Sequence, residues 1–293
     1  MAVSSKRILP MQDLSCVGQC SLTVALPVLS AFGVETCVLP TAILSNHTAF
    51  GTWSCLDLAF EMERILKAWR ENGFRFDAFL GGYLGSAAIA DVAKICFRDF
   101  LKEDASIIID PAFGDNGKLY AAFDRGYVAV MADLIKSADI ILPNLTEGCF
   151  LTGTEYRPGA PAEFAREVAR RLAERTPAVI VLTGVEHNGR IGELIYSDGA
   201  FSEVWAEKLP GHFHGTGDLF ASAFTALFLQ GCGLEQACES AGSLTAAGIR
   251  ATDVSHSYGV SFERALKHGF RSGSGCEIAR ADGCPGGQAP SGR

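Results

Sequence analysis

Three short runs constrain the fold class first. Ile107 to Ile109, Ile140 to Leu142 and Ala178 to Leu182 are apolar at consecutive positions. A strand with one wet face alternates apolar and polar residues, so an unbroken run fits a strand covered on both faces, as in a parallel sheet flanked by helices. Helices are expected around them, from Ser86 to about Leu101, from Tyr127 to Ser137 and from Pro161 to Glu174. The chain opens in the same manner, with a strand over Arg7 to Leu14, a helix over Ser21 to Phe32 closed by Gly33, and a second β-like run from Val34 to Leu39. A helix over Leu56 to Trp69 and a short strand over Ala78 to Leu80 follow. Arg190 to Ala206 breaks the pattern, since its flanks alternate around Ser197-Asp198-Gly199 and read as an antiparallel pair. Leu234 to Ala251, rich in small residues, reads as a helix packed closely on the sheet. A single α/β domain is therefore expected over residues 1–271, followed by a Gly, Ser and Pro-rich tail, 272–293, expected to be disordered.

Charge and composition remove several functions. A formal net charge of −8 speaks against a nucleic-acid partner. The N-terminus lacks the apolar run of a signal peptide and no stretch reaches the length of a membrane span without a charge or breaker, so a soluble, cytoplasmic protein without a membrane partner is expected. The ten cysteines are scattered, and the closest pairs, Cys16/Cys20 and Cys232/Cys238, lack CxxC spacing, so most are expected to be reduced core thiols.

Polar, glycine-bearing segments follow the strands: SNHT at 45–48, GGYLGS at 81–86, DPAFGD at 110–115, PNLTE at 143–147 and GTGD at 215–218. In open parallel sheets, ligands bind beyond the carboxyl ends of the strands, so these segments should meet in one crevice. Gly215, Thr216 and Gly217 open a helix whose unpaired N–H groups suit a phosphate, and Asp218 would repel that phosphate unless it has another task. Taking a proton from an attacking hydroxyl is such a task, although an aspartate in a first helical turn also serves simply as a cap. Asp110 and Asp115 suit a hydrated Mg²⁺ or, alternatively, Asx turns. Asn144 and Glu147 lie past another strand end, where Asn144 or Thr146 could cap the helix. His47 fits a substrate loop or a turn, and Tyr83 could stack on a flat ring or cover the core edge. There is no GxxxxGK[ST] phosphate loop.

From about Arg7 to Phe270 the chain resembles the ribokinase-like superfamily and, within it, the pyridoxal kinase family. GTGDLF at 215–220 is shared across the superfamily, while SNHT with Gly51 and Trp53, GY at 82–83, DP and GD at 110–115 and PNxxE at 143–147 are more specific. The resemblance implies a ribokinase-like three-layer α/β/α sandwich with a mostly parallel central sheet, and ATP-dependent phosphorylation of the 5′-hydroxymethyl group of a vitamin B6 vitamer. It implies Asp218 as base with Gly215, Thr216 and Gly217 as anion hole, and Asp115, Asn144, Thr183 and Gly217 on ATP. Asp110, Asp115 and Glu147 would serve Mg²⁺, with a monovalent cation, K⁺ or Na⁺, as a further requirement. Asp13, Ser45, His47, Thr48 and Tyr83 would surround the vitamer, and a homodimer is implied. LSCVGQCSLT departs from bacterial relatives expected to carry glycine at Cys16 and arginine at Gln19; Cys20 is either an oxidisable thiol or a buried inert one. Two other readings remain, a hydroxymethylpyrimidine kinase of thiamine salvage, which SNHT disfavours, and a sensor without catalysis.

Overall fold

The structure, a computed structural model, describes residues 5–211, 213–253, 255–256 and 258–269; the tail at 272–293 lies outside the described residues. Its strands are β1 Arg7–Ser15, β2 Glu35–Thr36, β3 Leu39–Leu44, β4 Cys55–Asp57, β5 Phe76–Gly81, β6 Leu101–Ile109, β7 Gly114–Asp115, β8 Lys118–Leu119, β9 Ile140–Ile141, β10 Val179–His187, β11 Arg190–Ser197 and β12 Ala200–Glu207. The α-helices are α1 Leu22–Ala31, α2 Ala59–Asn72, α3 Ala87–Phe100, α4 Arg125–Leu134, α5 Leu145–Thr152, α6 Ala162–Ala173, α7 Thr216–Leu229, α8 Leu234–Ala251 and α9 Phe262–Gly269.

The central sheet runs β12-β11-β10-β9-β6-β5-β1-β3-β4, with β2 also beside β1. Every pairing from β10 through β9, β6, β5 and β1 to β3 is parallel, and β4, β11 and β12 are antiparallel additions at the two edges. Unbroken apolar runs form the middle because both faces are covered. Ile109, Ile141, Ile180 and Leu182 join one core with α2 to α6, whereas Ile108, Ile140, Leu142 and Val181 join the other with α1, α7, α8 and α9. This is a three-layer α/β/α sandwich. The hairpin of β11 and β12 turns at Asp198-Gly199, where both residues have positive φ, the geometry that matches strand twist.

The main departure from the sequence reading lies between residues 34 and 58. The stretch expected as one strand ending at Leu39 and then a substrate loop is two strands, β2 and β3, and β3 continues through the TAIL residues to Leu44. Leu56, expected at the start of a helix, pairs with Ile43 in β4, and α2 begins only at Ala59. Edge pairing overrides local preference here: β1 offers a free side to β3, and β3 offers one to β4. The β1/β3 register shifts between Gln12 and Leu14, beside Asp13. A bulge of this kind re-aims a side chain at a site.

Phe79 is fully buried in β5 and meets Phe97 edge to face at 4.8 Å between ring centroids. Phe79→Ala should lower unfolding free energy by about 3–5 kcal/mol, read as a shifted denaturant midpoint at unchanged slope.

Candidate active site

The GTGD segment is a left-handed turn leading directly into α7. Gly215 has φ 80° and precedes the helix, and a Cβ there would lie 2.1 Å from the carbonyl oxygen of Gln19. Only glycine lets the turn sit against the β1–α1 connection. Thr216 donates its hydroxyl to the Phe213 carbonyl at 3.1 Å, locking the turn from within. Gly217 is exposed and a Cβ on it would meet nothing, so the backbone face is open. The helix therefore presents its first N–H groups and its positive end outward. Asp218 is the third helical residue, as expected for a carboxylate held beside that face.

A row of carboxylates runs from this turn along the strand ends. Burial raises Asp218 to about 6, opposed by the Ser21 backbone N–H and reinforced by Asp13. Asp13 is itself raised by burial while the hydroxyls of Ser21 and Ser15 act against the shift, Ser15 Oγ lying 3.3 Å from Oδ2. Asp110, at the end of β6, is raised well above its ordinary range by burial, then by Glu147 and Asp218; Ala112 N–H donates to it at 3.2 Å. Among the described residues, no lysine or arginine forms an ion pair with Asp13, Asp110, Glu147 or Asp218. Like charges are thus concentrated where the protein supplies few compensating charges.

Glu147 is placed as a strut. One of its oxygens accepts the N–H groups of Phe113 and Gly114 at 2.9 and 3.3 Å, and the other accepts that of Asn144 at 2.9 Å. Asn144 caps α5 in return, completing a capping box, and its Nδ2 donates to Gly114 O at 2.8 Å. Burial still raises Glu147 to about 7 despite those three donors. Thr183 N–H reaches Pro143 O at 2.9 Å, and Thr146 Oγ1 accepts Gly117 N–H at 2.9 Å, so the ends of β6, β9 and β10 are stitched together. Asp115 turns to Asn116, accepting its backbone and side-chain N–H groups at 2.8 and 2.9 Å. Among the described residues, no three His, Cys, Asp or Glu side chains converge as a ready metal cage.

The SNHT segment approaches the GTGD turn through His47. Its ring lies 4.3 Å from that of His214, centroid to centroid. Nδ1 of His47 accepts Ala49 N–H at 3.1 Å, so Nε2 bears the proton in the neutral ring, and burial followed by His214 lowers its pKa to about 4. This is the turn histidine of the alternative reading, yet the turn carries it to His214, next to the GTGD segment. Gly18 permits the approach: a Cβ there would lie 2.8 Å from His47 Cβ. Ser45 and Thr48 are exposed, with Ser45 Oγ 2.8 Å from Asn46 Oδ1. Tyr83 packs on Phe123 at 5.0 Å while its hydroxyl is raised to about 12 by burial, then by Asp13 and Cys55. It covers a core edge. Cys20 is a buried thiol whose pKa burial pushes far up, the inert alternative. Sequence reading missed Ala112 and His214. Only His214, adjacent to the glycine turn, carried any local signal.

The profile of the phosphomethylpyrimidine kinase family matches residues 26–261. A pyridoxal kinase of Granulibacter bethesdensis is 30% identical over 248 residues, covering 80% of this chain and 86% of that protein. A Bacteroides thetaiotaomicron protein described as a phosphomethylpyrimidine kinase and crystallised with pyridoxal is 37% identical, with TM-score 0.86 and coverage of 91% of this chain and 96% of its own. The pyridoxal kinase of Lactobacillus plantarum is 33% identical with TM-score 0.83, covering 92% and 98%.

The raised pKa of Asp218 has a consequence for stability. The native carboxyl keeps its proton up to about pH 6 whereas the unfolded one loses it near 3.8, so its burial is costly above pH 6 and the cost fades as pH falls toward 4. Asp218→Asn should therefore melt higher than wild type at pH 8, by on the order of 1–3 kcal/mol of stability, with the gap closing through that window. Calorimetry across pH 4 to about 8 checks it.

Proposed function

The chain belongs to the phosphomethylpyrimidine kinase family and, within it, stands with the pyridoxal kinases; from that premise we propose that it transfers the γ-phosphoryl group of ATP to the 5′-hydroxymethyl group of a vitamin B6 vitamer. The observation that carries the reading is Asp218 in the first turn of α7, its carboxyl raised to about 6 beside an open, glycine-lined helix start. A carboxylate of that basicity accepts a hydroxyl proton near neutral pH more readily than an ordinary aspartate. The backbone N–H groups of Gly215, Thr216 and Gly217 face the charge that develops on the phosphoryl group during transfer. Because the transition state is loose, orienting the hydroxyl matters more than extracting its proton early, and a base on a rigid helix does that.

Asp110 and Asp115 suit a hydrated Mg²⁺, since they are hard oxygen donors in a crowded acidic row and Mg²⁺ keeps most of its waters. When bound, the ion would neutralise phosphate charge. Glu147 serves it by holding the DPAFGD loop in place, and Asn144 and Thr183 border the same edge for the nucleotide. A monovalent cation, K⁺ or Na⁺, is part of the same reading. Asp13, Ser45, His47, Thr48 and Tyr83 form the vitamer side, with neutral His47 offering Nε2–H rather than a charge. An exposed apolar edge, comprising Ile43, Trp53, Leu56 and Phe60 around β4, supports a homodimer. Among the described residues, no helix is long and apolar enough to cross a membrane.

The family name itself favours a second reading, phosphorylation of hydroxymethylpyrimidine. ADP release with Mg-ATP and, separately, pyridoxal, pyridoxamine, pyridoxine and hydroxymethylpyrimidine should show a B6 vitamer turned over well above the pyrimidine; the reverse order rejects the proposal. Asp218→Asn should lower kcat by about 10²–10⁴-fold while vitamer binding, read by calorimetry, changes little. Wild-type turnover should fall on the acid side with a midpoint near pH 6.

A further inference from the structure

Gln19 lies where distant parts of the chain meet at the glycine turn. Its carbonyl oxygen stands so close to Gly215 and to Gly259 that a Cβ on them would lie 2.1 and 2.7 Å away, respectively. Its N–H donates to the Tyr258 carbonyl at 2.6 Å, and it forms a parallel bridge with Gly259. Val260 N–H in turn donates at 2.9 Å to the carbonyl of His214, the residue before the turn. Residues 258–260 therefore lie as a strap across both the β1–α1 connection and the entry to α7. The Tyr258 ring extends the strap to the segment after SNHT, meeting Phe50 edge on at 5.3 Å between centroids.

The side chain of Gln19 ties down the far end of this strap. Its Nε2 donates to Oε1 of Glu263 at 2.5 Å, a bond between residues 244 positions apart. Glu263 stands in the first turn of α9, which follows the strap directly. Phe262 and Ala265 bury the apolar face of α9 in the core that it shares with α1, α7 and α8. Apolar contact is non-directional, whereas the hydrogen bond from Gln19 fixes where α9 starts. The other polar atom of the Gln19 side chain, Oε1, is buried without a partner among the described residues. An acceptor buried in this way costs stability, which a glutamine merely covering the surface would avoid by turning its amide to water.

We propose that Gln19 is a positioning residue for phosphoryl transfer: its bond to Glu263 holds the strap on the β1–α1 connection, and together they fix the GTG turn. This rests on the anion-hole role given above to Gly215, Thr216 and Gly217. Backbone donors stabilise developing charge only when their positions are set before the reaction. The Gln19 carbonyl blocks inward movement of Gly215, and the Val260 bond restrains His214, so release of α9 loosens the turn from two sides. Loosening of this kind weakens the transition state more than the ground state, because the turn faces charge that develops during transfer.

Three variants test the clamp, with kcat measured on whichever of pyridoxal and hydroxymethylpyrimidine wild type turns over. Gln19→Met keeps the length of the side chain and removes its donor, so kcat should fall about tenfold while KM for that substrate changes less than about twofold. Glu263→Met removes the acceptor and should give the same loss, and the double variant should be no slower than either single one. Gln19→Arg keeps an N–H donor opposite Glu263 and should retain kcat within about twofold of wild type. In hydrogen exchange without ligand, the amides of Gln19 and Val260 should exchange about tenfold faster in Gln19→Met than in wild type or Gln19→Arg, while those of β5 and β6 keep wild-type rates. Wild-type kcat in Gln19→Met, losses that multiply in the double variant, an equal loss in Gln19→Arg, or exchange that is unchanged or quickens throughout the chain overturns the proposal. If wild type turns over neither substrate, the kinase reading fails, and the exchange comparison still decides whether Gln19 holds the turn.

Discussion

A parallel sheet buried on both faces leaves its strand ends as the one place where polar groups can gather, and this chain is built around that restriction. Ile108 and Ile109 face opposite cores, as do Ile140 and Ile141, so these central segments carry apolar side chains on both faces. Because β1, β5, β6, β9 and β10 all run the same way, their carboxyl ends deliver Asp13, Gly82, Asp110, Asn144 and Thr183 to one edge. The GTGD turn arrives from the antiparallel hairpin and closes the row against Gln19. Direction of the strands, more than any single motif, makes the site.

That gathering creates an electrostatic problem. Burying carboxylates together is costly, and the chain answers chiefly with backbone N–H groups instead of arginine or lysine side chains. Glu147 takes three amides and Asp110 takes that of Ala112. Amides offset a negative charge without neutralising it, which leaves the row receptive to a cation and keeps Asp218 basic. One of the donors, Ala112, stands at positive φ.

Much of this was legible in the chain. The unbroken runs at 107–109, 140–142 and 178–182 led to central parallel strands, and the Ser197-Asp198-Gly199 turn led to the edge hairpin, because burial pattern and turn chemistry are local properties. Asp218 was readable for the same reason, a charged residue at a glycine-bounded helix start. The stretch from 34 to 58 was not, since β3 and β4 exist through pairing with β1 and with each other and carry weak signals of their own. The resemblance implies a cation role for Glu147, but that its two oxygens hold the neighbouring loop was not legible, because the loop's amides come from residues more than 30 positions away.

The sequence by itself determined the central parallel strands, the edge hairpin and the identity of the polar segments, because periodicity, turn chemistry and glycine placement act over a few residues. Tertiary structure alone decided which polar atoms meet. His47 meets His214 across 167 positions of chain, a contact set by how the sheet registers bring distant turns together. No local preference encodes such a distance, since its free energy comes from the packing of the whole sandwich.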